Sequence, residues 1–127
     1  MSDASVALQQ AIYTVVSGLG YATYDRVSPD CSFPFFVIGD DSAIDDGTKT
    51  KDGQQFTAQV HAYSRYRGRK EVKEMNAAAR GKLHQQPLAV AGFHVIEIEC
   101  DDQRVLADPE PDTWHGITRY RITVEPL

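Results

Sequence analysis

Apolar residues recur every three or four positions in two parts of the chain. The first part runs from Leu8 to Leu19 and ends among glycines, and the second runs from Val72 to Leu83. This period places the apolar side chains on one face of a helix and predicts two amphipathic helices. Pro87 prevents the second helix from continuing, because proline lacks the amide hydrogen that a further turn requires.

Elsewhere, apolar residues alternate with polar ones or form short continuous runs. Between Phe56 and Tyr63 the alternation is regular, which predicts a strand with one buried face. The run from Phe33 to Gly39 is almost wholly apolar and predicts a buried strand that begins at Pro34. Three further segments, rich in aromatic and β-branched residues, predict strands at 21–27, 93–100 and 117–124.

These elements follow one another as a helix, strands, a second helix and further strands. The order predicts an α+β fold, with an antiparallel or mixed sheet of about five strands and both helices packed on one face. The last two strands would be joined through Arg104–Leu106 and a stiff turn, Asp108–Asp112. With 127 residues and no recognisable linker, the chain is expected to form one domain over residues 1–127.

The segment from Asp40 to Gln55 is polar and interrupts the apolar pattern. It predicts a long, mobile hairpin loop, and loops of this length usually have a function or become ordered on binding. The segment lacks the acidic residue that would complete a calcium-binding loop. The residues expected to contact a partner are Asp45, Asp46, Lys49 and Lys51.

Charge and cysteine content narrow the class of protein. Thirteen Lys and Arg against eighteen Asp and Glu give a formal charge of −5, which argues against a general phosphate-binding surface. Cys31 and Cys100 are far apart in sequence, and the start of the chain lacks the pattern of a signal peptide, so both thiols are expected to be reduced. No apolar run approaches the ~20 residues that cross a bilayer, so no membrane partner is expected.

No catalytic or metal-binding pattern emerges from the titratable residues. His61 is expected on a strand surface, His84 at a helix C-terminus where a cation suits the dipole, and His94 and His115 at strand starts. None of the four has the spacing of a zinc ligand. Nucleophile elbows, phosphate-binding loops and dinucleotide-binding glycine motifs are absent from the sequence. We therefore expect that the chain is not an enzyme and that it binds no metal and no cofactor.

One basic cluster, residues 65–70, lies where a predicted strand passes into the second helix. Cations near a helix N-terminus are mildly unfavourable, so the cluster indicates an anionic partner. The favoured interpretation is a salt bridge between subunits, with Glu71, Glu74 or an acidic loop of another copy as the partner. Nucleic-acid recognition and a plain solvated surface remain alternatives. The residues expected at the subunit boundary are Arg65, Arg67 and Arg69.

Three groups of segments carry a family resemblance through their order and spacing. They are Tyr24–Val27 with Phe33–Gly39, His61–Gly68 running into Glu71, and Arg104–Val105 with Asp108–Pro109 and His115–Ile117. Together, over most of the chain, they resemble the small tail-completion or tail-terminator proteins of long-tailed bacteriophages and of phage-like gene transfer agents. The repeated Arg65-x-Arg67-x-Arg69 pattern departs from that family.

The resemblance implies a structural virion protein, made and assembled in the cytoplasm of the bacterial host. Six copies would form a ring on the head-proximal end of the tail tube, stop tube growth and offer a surface to the head. The implied partners are further copies of the chain, the tail tube protein and the head-tail connector protein. The Asp40–Gln55 loop would meet the tube or line the lumen, where its acidic character would let DNA pass without specific binding.

Three other interpretations remain open at this point. The chain could be a neck or head-tail connector protein of the same particle. It could instead be a small-ligand-binding module or an enzyme of unfamiliar type, with His61, Tyr63 and Arg65 at a pocket. The third is a nucleic-acid-binding adaptor that uses the basic cluster and binds with strong salt dependence.

Overall fold

A computed structural model of the chain describes residues 3–45 and 53–127. Within this part of the chain, five strands form one sheet in the order β1-β2-β3-β5-β4. β1 pairs with β2 in parallel and every other pair is antiparallel, so the sheet is mixed and the predicted α+β class is confirmed. The elements are α1 (Ser5–Ser17), β1 (Ala22–Tyr24), β2 (Phe35–Asp45), β3 (Gln54–Ser64), α2 (Lys70–Leu83), β4 (Phe93–Ala107) and β5 (Trp114–Pro126).

Both helices pack on the same face of the sheet, as predicted. Alternate side chains of β3 and β5 point towards the helices and are buried, because successive strand residues face opposite sides of a sheet. No helix in the described ranges is long and apolar enough to cross a membrane. The buried core between the layers includes Leu8, Ile12, Phe36, Phe56, Val60, Val72, Met75, Leu83, Tyr120 and Ile122.

The start of α1 is fixed against the sheet by polar contacts. The Ala4 amide, which precedes the helix, donates to Gln54 Oε1 at 2.9 Å, and the Ser5 amide donates to Asp3 Oδ1 at 2.7 Å. Amides in the first turn have no partner inside a helix, so these bonds satisfy groups that would otherwise require water. α1 is thereby anchored to the first residue of β3.

Much of the predicted Asp40–Gln55 loop is strand, so that prediction was wrong for both flanks of the segment. β2 continues to Asp45, which pairs with Gln54, and a register shift lies between Gly39 and Ser42. β3 lies between β2 and β5 and pairs with both, so backbone groups on both sides of this strand have hydrogen-bond partners. Those hydrogen bonds outweigh the low strand propensity of the aspartates. β2 and β3 therefore form the predicted hairpin, and their pairing extends into the segment that was expected to be a loop.

β4 is also longer than predicted, because Arg104–Leu106 belongs to it rather than to a connection. The strand runs without interruption for 15 residues, with register shifts at Val95/Glu97 and Cys100/Asp102. Each shift turns the following side chains to the other face and breaks the simple alternation that would have revealed a long strand. The predicted strand at 21–27 is correspondingly shorter and covers Ala22–Tyr24.

Side chains of α2 and its C-cap satisfy part of the outer edge of β4. Asn76 Nδ2 donates to the Arg104 carbonyl at 2.9 Å, and His84 Nδ1 accepts from the Cys100 amide at 2.9 Å. An uncovered edge strand invites pairing with other chains, and these bonds reduce that exposure. His84 lies at the helix C-terminus, as predicted, and its Nδ1 is the acceptor in the bond from Cys100.

Candidate assembly surface

A row of stacked rings crosses the sheet face that lies opposite the helices. Phe35 of β2 stacks on Tyr63 of β3 with centroids 5.0 Å apart, and Tyr63 stacks on His115 of β5 at 4.4 Å. His61 of β3 stacks on His115 at 5.0 Å and completes the row. Phe33 meets Phe35 edge to face at 4.9 Å. Stacked and edge-to-face rings stabilise each other beyond the area they bury, so this face is fixed without a helix to cover it.

His61 and His115, which the sequence placed on separate surfaces, meet directly. Nδ1 of His61 lies 2.8 Å from Nε2 of His115, and Asp108 Oδ1 lies 4.0 Å from the other nitrogen of His115. One of the two facing nitrogens must donate and the other accept. The contact arises because β3 pairs with β5, which local sequence spacing does not reveal. No group of three or more potential metal ligands occurs among the residues described.

The geometry does not support a pocket built from His61, Tyr63 and Arg65. The rings of His61, Tyr63 and His115 contact each other at 4.4–5.0 Å between centroids, which leaves no room for a substrate between their planes. The Arg65 guanidinium lies 4.1 Å above the ring of Phe33. The three side chains thus serve the packing of the sheet face.

Arg65 connects the basic segment to the turn between β4 and β5. Its Nε donates to Thr113 Oγ1 at 3.2 Å, and its Nη2 lies 3.3 Å from Glu110 Oε1. Both side chains of this ion pair are largely exposed to water, so the pair adds little to stability and acts mainly as a positional restraint. Arg65 holds the base of the segment in place.

Residues 65–69 form a tight, exposed loop between β3 and α2, which we call the basic loop. Ser64 Oγ accepts from the Tyr66 amide at 3.1 Å and donates to Glu71 Oε1 at 2.7 Å. Gly68 adopts φ +90°, a backbone conformation that side chains disfavour. Arg69 lies over the ring of Trp114 at 4.3 Å. The loop is therefore held at both ends while its central residues face solvent.

Tyr66 and Arg67 occupy the exposed centre of the basic loop. The Tyr66 side chain is 49% exposed, although tyrosine has a large apolar ring. Arg67 is exposed and forms no ion pair with any residue in the ranges described. Of the three arginines expected at a subunit boundary, Arg67 is the one without a defined contact to another described residue. The boundary itself stays a prediction.

The residues expected to contact the tube or line the lumen are described only in part. Asp45 is the last residue of β2 and pairs with Gln54. Asp46, Lys49 and Lys51 lie outside the described residues. Gln54 also pairs with Val124 of β5, so the base of the hairpin is continuous with the central sheet.

The two thiols are unpaired and half-buried. Cys100 packs against the core, and burial raises the pKa of its thiol above the usual value. Cys31 belongs to the turn after β1, where its thiol donates to the Arg26 carbonyl at 3.7 Å and its sulfur accepts from the Ser28 amide at 3.4 Å. Both side chains are therefore engaged in packing or hydrogen bonding within the chain.

Comparison with known proteins relates almost the whole chain to one family. Residues 5–125 match the family described as tail completion protein gp17. The tail completion protein gp17 of Bacillus phage SPP1 is 28% identical over 95 residues, which cover 75% of this chain and 70% of that protein. A chain in the solved structure of the virion of a native gene transfer agent particle has the same fold, with a TM-score of 0.85 at 21% identity. That match covers 98% of this chain and 99% of the other.

Proposed function

The chain belongs to the tail completion protein gp17 family, and from this premise we propose that it caps the head-proximal end of a tail tube as a ring of six copies. Members of the family are structural proteins of the phage tail and not enzymes, so this chain is a structural component of a virion. The observation that carries the proposal is the family match across residues 5–125. The ring would end tube polymerisation and then present its free face to the head.

The tube-side contact is assigned to the β2–β3 hairpin. Its arms are paired strands, and β3 also pairs with β5, so the hairpin is part of the central sheet. Asp45, Asp46, Lys49 and Lys51 would meet the tail tube protein or line the lumen. The overall charge of −5 favours a lumen that repels DNA phosphates, so DNA would pass without specific binding.

The subunit boundary is assigned to the basic loop. Arg65 and Arg69 already contact Glu110 and Trp114 within the chain, which makes them anchors for the loop. Arg67 lies between them and presents its charge outward. In this arrangement the three arginines have different tasks, two in shaping the boundary and one in crossing it.

The remaining partners follow from the place of the ring in the particle. The head-tail connector protein would bind the face that the tube leaves free. Assembly would occur in the cytoplasm of the bacterial host, before or while the head joins the tail. The fold shared with a chain of a gene transfer agent virion and the similarity to a phage tail completion protein support a place in a particle of one of these kinds.

Electron microscopy of particles from producing cells that lack the gene tests this proposal. We expect tails of irregular and excessive length without heads, because nothing would stop addition of tube subunits. Tails of normal length beside detached, filled heads would instead identify a neck or connector protein. Intact particles that infect or transfer DNA would contradict both assignments.

A further inference from the structure

An open apolar groove lies at the end of the sheet where β4 begins. It has a volume of about 1000 Å³ and is lined by residues 85–99 together with the last residue of the chain. Ile96 occupies a register shift in β4, and its side chain is 54% exposed. Pro87, Leu88 and Phe93 supply further apolar surface. Large exposed apolar surfaces of this kind usually mark a contact site.

The groove has an acidic side chain on its rim. Glu97 is exposed and forms no ion pair within the described ranges. Its neighbour Glu99 already accepts hydrogen bonds from Gln85 Nε2, at 3.1 and 3.4 Å. Glu97 is therefore the carboxylate of the groove that is left for a partner. The site combines apolar walls with one available negative charge.

The basic loop has the complementary combination of properties. Tyr66 offers a half-exposed ring and Arg67 an exposed cation without an ion pair in the described part of the chain. Tyrosine and arginine are enriched among residues that contribute most to binding at protein interfaces. A ring that enters the groove beside Ile96 would place the adjacent guanidinium near Glu97.

The two sites lie too far apart to meet within one molecule. The groove adjoins Phe93, at the start of β4. The basic loop follows Ser64, which pairs with Trp114 of β5, and Trp114 pairs in turn with the last residue of β4. The two sites therefore lie at opposite ends of β4. At ~3.3 Å per residue, the 15 residues of β4 separate the two ends by roughly 45 Å. Each site therefore requires a second molecule.

We propose that the basic loop of one copy docks in the β4 groove of the next, with Tyr66 against Ile96 and Arg67 paired with Glu97. The contact is head to tail, because the two surfaces differ, and head-to-tail contacts form a ring when the rotation between successive copies closes. The proposal rests on the proposed ring and names the surfaces that would build it. It leaves the aromatic face and the hairpin available for other proteins.

The contact can be tested by placing a photo-crosslinking amino acid at Tyr66 in the full chain, both purified and in particle-producing cells. We expect crosslinked pairs of this chain in assembled particles, with the crosslinks mapped by mass spectrometry to residues 87–99. The matched control is Tyr13, which is also partly exposed but lies on α1, and it should not crosslink to the groove. Crosslinks from Tyr66 to other proteins, or none between copies, would overturn the proposal.

Charge reversal then tests the predicted pair. R67E or E97R alone should lower the yield of the crosslinked pair about tenfold, because like charges would face each other. The double variant R67E/E97R should recover most of that yield, whereas R26E and D30R, in the exposed segment between β1 and β2, should leave it unchanged. Failure of the double variant to recover the yield would refute the Arg67–Glu97 contact.

Tail morphology in the same cells separates this proposal from the assigned function. If tails are capped but Tyr66 forms no crosslinks between copies, the proposed capping function stands and this contact is wrong. If copies crosslink through Tyr66 but tails reach normal length without the gene, the contact stands and the capping function is wrong.

Discussion

At the residue scale, Gly116 sets how closely α2 approaches the sheet. A Cβ at this position would lie 2.5 Å from Asn76 Oδ1 and 2.9 Å from Val72 Cγ2. Asn76 is buried and its amide group donates to the Arg104 carbonyl, so it cannot turn away without losing that bond. The absence of a side chain at Gly116 is therefore a requirement of the helix–sheet contact.

Replacing Gly116 by alanine should lower the free energy of unfolding by about 2 kcal/mol, because the added methyl group overpacks a closed contact. Urea unfolding followed by circular dichroism measures the change. Gly81 is the control, since it lies in α2 with nothing within 4 Å of an added Cβ. Gly81→Ala should raise stability by ~0.5–1 kcal/mol through helix propensity. Equal stabilities of Gly116→Ala and wild type would contradict this account of the contact.

Because of Tyr120, the stability of the folded state should decrease at alkaline pH. Its hydroxyl is buried near Thr118 but makes no hydrogen bond of good geometry in the described structure, and burial raises the pKa of the phenol well above the ordinary 10.0. Above pH 10 the unfolded chain loses this proton while the folded chain keeps it. The folded state should then lose stability relative to a Tyr120→Phe variant by up to ~1.4 kcal/mol per pH unit.

Urea unfolding of wild type and Tyr120→Phe at pH 8 and pH 11 measures this effect. Near pH 8 the variant should be as stable as wild type or slightly more stable, because it removes a buried hydroxyl without a partner. A stability difference between the two proteins that stays constant up to pH 11 would show that the phenol ionises freely in the fold.

At the element scale, sequence periodicity located both helices and part of each long strand. It could not locate strand ends, because the ladder partners of Asp45 and Gln54 come from other elements. It also missed the stacking of His61 on His115, which depends on the pairing of β3 with β5. The basic loop was visible as a run of charge, whereas the separate roles of Arg65 and Arg67 depend on contacts distant in sequence.

The β2–β3 hairpin should have separable roles in folding and assembly. Replacing residues 46–53 by Asn-Gly joins the paired ends, Asp45 and Gln54, through a two-residue turn that suits antiparallel strands. We expect urea stability to remain near that of wild type, while capping of tails in producing cells is lost. Normal tails with this variant would show that residues 46–53 are not required at the tube.

At the scale of the whole molecule, the distribution of charge argues against a nucleic-acid-binding adaptor. The chain carries a formal charge of −5, and Arg65 and Arg69 are engaged with Glu110 and Trp114. Productive binding to DNA phosphates would require a larger uncompensated basic surface. The same charge is consistent with the proposed lumen, through which DNA would pass.

Fluorescence polarisation with labelled duplex DNA tests this argument across a range of salt concentrations. We expect weak binding that is the same for wild type and for a variant with Arg65, Arg67, Arg69 and Lys70 replaced by glutamine. Tight binding with a steep salt dependence, abolished in that variant, would support the adaptor.

The central claim, a ring of this chain between tube and head, is tested most directly by cryo-electron microscopy of intact particles. We predict six copies of the five-stranded domain at the head-proximal end of the tail tube, with the β2–β3 hairpins directed at the tube or lumen. Density for this chain elsewhere in the particle, or as single copies rather than a closed ring, would contradict the account.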